Sequence, residues 1–90
     1  MQRLHVILRG RVQGVGFRHF VWKRATELAL DGEVRNLADG AVEIVASGDA
    51  VALGRLLEMV RCGPSSARVV NVDAHYDSLS APGPGFHVVE

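Results

Sequence analysis

Leu4-His5-Val6-Ile7-Leu8-Arg9-Gly10-Arg11-Val12-Gln13-Gly14-Val15-Gly16-Phe17-Arg18 changes period part-way along, and that change decides the fold. Leu4, Val6 and Leu8 alternate with His5, Ile7 and Arg9, the spacing of a strand. Ile7 makes the second face partly apolar, which predicts a central strand. Gly10 opens a loop. From Phe17 onward, Phe17, Val21, Ala25 and Leu28 fall at helical spacing, with Phe20 alongside. The loop over residues 10–18 holds three glycines and no Ser, Thr, Asp or Asn. A helix start leaves its first backbone N–H groups without partners, and those four residue types are the usual caps. Uncapped N–H groups in a glycine turn, with Arg18 in the first helical turn, suit an anion, most naturally a phosphate.

Outward from this stretch the pattern stays regular. Gly32 is expected to end the first helix in a left-handed conformation. On that helix Lys23 and Glu27 are spaced to pair, and Trp22 is expected at the rim of the core. Glu33-Val34-Arg35-Asn36-Leu37 reads as a second strand, Ala38-Asp39-Gly40 as a turn, and residues 41–46 as a third strand with Val42, Ile44 and Ala46 on one face. Asp49 is a good N-cap for a second helix with Leu53, Leu56, Leu57 and Val60 on its apolar face. Gly63-Pro64 stops it. Residues 68–76 read as a fourth strand, with Val70, Val72, Ala74 and Tyr76 on one face. Phe86-His87-Val88-Val89 reads as a short extra strand. Strand, helix, strand, strand, helix, strand is the α+β, ferredoxin-like βαββαβ pattern: an antiparallel sheet with two helices on one face and a short C-terminal addition.

Size and charge narrow the function. Ninety residues form one domain over 1–90 with a modest core. A formal net charge of zero, with Lys and Arg spread along the chain, argues against a nucleic-acid face. No apolar run approaches a membrane span, and the N-terminus has no adequate signal-peptide core. A cytoplasmic monomer is the expectation. The lone Cys62 excludes an internal disulfide and is expected to be a partly buried helix-end residue. His5, His19, His75 and His87 show no metal-ligand spacing, so no metal is expected.

In the βαββαβ pattern the first two strands run parallel, because a crossover helix joins them. Their C-terminal ends share one sheet edge. The glycine loop leaves the first strand there, and Asn36 sits near the end of the second. Two distant segments so converge on one site, outside the carboxyl ends of the strands. Arg18 offers a planar fork for two phosphate oxygens. The backbone of Gln13, Gly14, Val15, Gly16, Phe17 and Arg18 offers neutral donors. The Asn36 amide can orient a water but has no basicity near neutral pH. The loop holds no carboxylate, and no histidine stands at a fixed offset from it. Such a site suits a phosphoryl substrate whose leaving group needs no proton. An acyl phosphate meets that condition, because a carboxylate of low pKa departs.

Residues 10–18 resemble the first signature of the acylphosphatase family. The resemblance continues through Leu28-Ala29-Leu30-Asp31-Gly32-Glu33-Val34-Arg35-Asn36, Asp39-Gly40 and Val42-Glu43, and more loosely through Gly63-Pro64, Ala67 and Val69. It covers essentially the whole chain. It implies hydrolysis of acyl phosphates to a carboxylate and inorganic phosphate, without metal or organic cofactor. By motif position it makes Arg18 the phosphate-binding catalytic arginine, Asn36 the asparagine that orients the water, and residues 13–17 the phosphate cradle. Glu33 departs from the family, which often carries an aromatic residue there. It lies outside the inferred phosphate shell, so packing rather than chemistry should change, with some effect on local surface potential.

Three other readings compete. A dinucleotide fingerprint fails because His19 stands where a third glycine is needed. An RNA-binding sheet lacks its aromatics on the first and third strands. A non-catalytic or regulatory acylphosphatase-like domain is the remaining alternative.

Overall fold

The computed structural model describes residues 2–90. The element order is β1 (Gln2–Arg11), α1 (Phe17–Glu27), β2 (Asp31–Asn36), β3 (Val42–Gly48), α2 (Ala50–Cys62), β4 (Arg68–Asp77) and β5 (Phe86–Val89). The five strands form one sheet in the order β4-β1-β3-β2-β5. β3 pairs antiparallel with both β1 and β2, so β1 and β2 run the same way on either side of it. The added strand β5 pairs parallel with β2, which makes the sheet mixed rather than wholly antiparallel. The fold is ferredoxin-like.

Side-chain alternation builds the core. Leu4, Val6 and Leu8 of β1 and Val42, Ile44 and Ala46 of β3 are buried against Phe17, Val21 and Ala25 of α1 and Leu53, Leu56 and Val60 of α2. Both helices therefore cover one face, and the other face stays open. Asp49 caps α2 as its sequence position suggests: its carboxylate accepts from the Val51 and Ala52 N–H groups.

Five local expectations are corrected. α1 ends before Gly32. Its C-cap is Leu28, and Ala29 takes the left-handed conformation at φ 57°. Ala29 N–H donates to Thr26 O and Leu30 N–H to Ala25 O, the paired bonds of a Schellman motif with alanine in the usual glycine position. Gly32 instead lies in β2, where a Cβ would stand 1.9 Å from the Val45 carbonyl oxygen. Close strand approach, not helix termination, is why glycine stands there.

The β1–β4 register shifts between Arg9 and Gly10 of β1, so Val70 of β4 becomes the extra residue of a bulge. Val69, Val72 and Ala74 then pack on the core, while Val70 is 71% exposed. Gly10, at φ +129°, faces the bulge. A Cβ there would come within 2.2 Å of the Arg68 carbonyl oxygen. On α1, Arg24 pairs with Glu27 at 2.9 Å in place of Lys23. Trp22 lies against His19 with ring centroids 5.7 Å apart, outside the core cluster. Cys62 is exposed.

Candidate active site

β1 runs on to Arg11, so the strand-to-helix connection is only residues 12–16. Gly14 and Gly16 both take left-handed backbone, at φ 73° and 77°. A Cβ at either would meet no protein atom within 4 Å, so backbone conformation rather than packing selects glycine at both positions. Gly16 is the N-cap of α1. No side chain caps the helix, and its first turn carries no acid. The N-terminal N–H groups therefore have no side-chain cap, and the helix dipole places partial positive charge there.

Two side chains hold this loop from either side. Gln13 Nε2 donates to Leu37 O at 2.8 Å and to Ala41 O at 2.9 Å, tying the loop to the β2–β3 turn just past Asn36. Ser66 Oγ donates to Val15 O at 2.9 Å from the segment after α2. Neither anchor is legible in the sequence, because each joins segments far apart in the chain. The β2–β3 turn is itself fixed by Asp39. Its carboxylate accepts from Ala41 N–H and pairs with Arg9, and these two interactions hold it below its ordinary pKa, the backbone bond being the stronger cause.

The parts meet in a cleft of about 370 Å³ lined by Val12, Gly14, Gly16, Phe17, Arg18, His19, Asn36, Val88 and Glu90. Of the residues expected from sequence, Gly14, Gly16, Phe17, Arg18 and Asn36 line it. Gln13 and Val15 do not; Gln13 serves as the tether just described, and Val15 packs against the core. Val12, His19, Val88 and Glu90 were not expected. β5 carries Val88 into the cleft, because its parallel register sets Val89 opposite Arg35, next to Asn36. The same strand end steadies the arginine: Arg18 Nη1 donates to Val89 O at 3.3 Å and stands 3.8 Å from a Glu90 carboxylate oxygen.

Asn36 Oδ1 is buried and has no hydrogen-bond partner, the one such side-chain atom among the described residues. A buried acceptor without a partner costs about 1–3 kcal/mol, so this oxygen suits a donor from outside the protein, a water or a ligand in the cleft that Arg18 also lines. Glu33 lies outside the cleft and pairs with Arg35 on the open face of the sheet, which offsets its charge locally.

The fold and cleft define a small α+β domain in which an uncapped helix start, a guanidinium and an unpaired amide oxygen line one cleft. Comparison with known proteins narrows that class. The family model described as Acylphosphatase matches residues 4–88. An acylphosphatase of Thermus thermophilus is 47% identical, over 98% of this chain and 99% of its own length. One from Deinococcus radiodurans is 51% identical, over 82% of this chain and 85% of its own length. The crystal structure of acylphosphatase from Bacillus subtilis superposes with a TM-score of 0.95 at 37% identity, each chain covered in full. The chain belongs to the acylphosphatase family.

Proposed function

We propose that the chain carries out the reaction of its family by direct attack of water on phosphorus, with Arg18 and Asn36 in separate roles. The Arg18 guanidinium and the backbone N–H groups of residues 13–18 hold the phosphoryl oxygens of an acyl phosphate. Asn36 Oδ1 accepts a hydrogen bond from one water and aims its oxygen at phosphorus. The new O–P bond forms as the bond from phosphorus to the acyl oxygen breaks. A carboxylate leaves with the bonding electron pair, and the water's proton passes to a phosphoryl oxygen. No protein base and no metal are needed, because the leaving group is already a weak base. Catalysis is then positioning plus charge stabilisation.

The single observation behind this reading is the unpaired, buried Asn36 Oδ1 in the cleft that also holds Arg18. The exposed lone thiol of Cys62 is compatible with a reducing compartment such as the cytoplasm.

The test is turnover of acetyl phosphate and benzoyl phosphate, with p-nitrophenyl phosphate as a monoester control, run in ¹⁸O-labelled water. The expected result is hydrolysis of the acyl phosphates alone, with the label in inorganic phosphate. Label in the carboxylate would mean attack at the carbonyl carbon and would refute the mechanism. No turnover by folded protein would refute the activity.

A further inference from the structure

The open face of the sheet carries a polar chain that the reaction does not use. β1 and β4 pair with His5 directly opposite His75, although 70 residues separate them in sequence. His5 Nδ1 lies 3.2 Å from His75 Nε2, with the ring centroids 5.0 Å apart and the planes nearly perpendicular. On its other side His5 Nε2 lies 2.8 Å from a Glu43 carboxylate oxygen of β3. The second Glu43 oxygen stands 3.9 Å from Arg35 Nε. His75 is exposed and His5 is 22% exposed, so the nitrogen pair is reached from solvent. None of these residues lines the catalytic cleft.

One arrangement with both rings neutral satisfies both contacts. An ionised carboxylate only accepts, so His5 must donate from Nε2. In a neutral ring that leaves Nδ1 with a free lone pair, and His75 Nε2–H donates to it. This is the arrangement of a carboxylate–histidine–metal triad, in which an outer carboxylate sets the tautomer and the orientation of a ligating ring. Two metal–nitrogen bonds of ordinary length at a tetrahedral angle separate their nitrogens by about 3.3 Å, close to the spacing seen here.

We propose that His5 and His75 form a binding site for a borderline transition-metal dication such as Zn²⁺ or Ni²⁺ on the open face of the sheet. His5 Nδ1 and His75 Nε2 are the ligands, and Glu43 orients His5. Binding requires His75 to move its proton from Nε2 to Nδ1, and small rotations about the soft χ2 torsions turn both lone pairs toward the ion. Among the described residues no three or more His, Cys, Asp or Glu side chains gather as a ligand set. The protein therefore supplies two ligands, and water fills the remaining positions.

The test is titration of the tag-free protein with ZnCl₂ and NiCl₂. Isothermal calorimetry gives the affinity, and NMR of the four imidazoles under Zn²⁺ gives the location. The expected result is one site per chain, with the His5 and His75 resonances moving together while His19 and His87 stay in place. His75→Gln, an exposed change on an edge strand, should keep the circular dichroism and the acyl-phosphate turnover unchanged. It should weaken metal binding by at least roughly tenfold, and Glu43→Ala should weaken it by about tenfold through His5. Equal affinity in the wild type and His75→Gln would overturn the proposal, because binding would then lie elsewhere, at Cys62 for example. Unmoved His5 and His75 signals under saturating Zn²⁺ would overturn it as well.

Discussion

At the scale of single residues, the proposed mechanism gives Arg18 and Asn36 separate jobs. In that mechanism Arg18 works as a fork. Arg18→Lys keeps the charge but loses the planar pair of donors, so inhibition by inorganic phosphate should weaken by roughly tenfold or more. Unchanged phosphate inhibition in that variant would mean that charge alone suffices. Gln13 acts at one remove. Its amide bridges Leu37 O and Ala41 O, so it sets the loop against the segment that follows Asn36. Gln13→Ala should cost about 1–3 kcal/mol of stability. It should also lower kcat by about tenfold through loss of relative positioning. Chemical denaturation and steady-state rates check the two effects separately, and a stability loss with full kcat would reduce Gln13 to a structural tether.

At the scale of elements, the structure shows which local rules held and which were overridden. The β1 alternation, the Asp49 cap and the Asp39-Gly40 turn were legible because each is decided within a few residues of sequence. So was the convergence of the glycine loop with Asn36, because a crossover helix makes β1 and β2 parallel. The end of α1 was not legible. Alanine rarely takes left-handed backbone, and here Ala29 is held there by the bonds of Leu30 and by burial of Leu30 and Ala25. The bulge at Val70 and the parallel seat of β5 were hidden for another reason: both depend on register between distant strands. Val88 and Glu90 were missed with them, and the His5–His75 pair likewise.

Two substitutions check the glycine argument. Ala29→Gly should raise stability by about 0.5–1 kcal/mol, since it relieves the left-handed strain. Gly32→Ala should destabilise far more than Gly40→Ala, because only the former drives a Cβ into backbone, at 1.9 Å from Val45 O. Thermal unfolding midpoints rank the three variants. A lower midpoint for Ala29→Gly would contradict the Schellman assignment.

At the scale of the whole molecule, two carboxylates link distant parts of the sheet and set its response to acid. Asp77 is held below its ordinary pKa chiefly by the Arg3 guanidinium and then by the Leu79 N–H. Asp39 is lowered by Ala41 N–H and Arg9. A lowered folded-state pKa means that the ionised form is favoured by folding. That stability is present in full above the ordinary carboxylate range, near pH 4, and is lost as pH falls through the depressed folded values. Urea midpoints should therefore hold steady from pH 7 to about pH 5 with respect to these groups and drop below about pH 4. Asp39→Asn and Asp77→Asn should each make that acid drop shallower.

The same sheet brings a glycine loop with an uncapped helix start, a guanidinium and an unpaired amide oxygen into one cleft, and the division of labour between them is the core of the proposed chemistry. Steady-state kinetics of Asn36→Ala on benzoyl phosphate, with inorganic phosphate as competitive inhibitor, tests it in one experiment. The expected outcome is a fall in kcat of about 100-fold or more, with the phosphate inhibition constant unchanged within about twofold. A loss of phosphate affinity matching the loss of kcat, or a kcat left intact, would contradict the assignment of Asn36 to the water and of Arg18 with its loop to the phosphate.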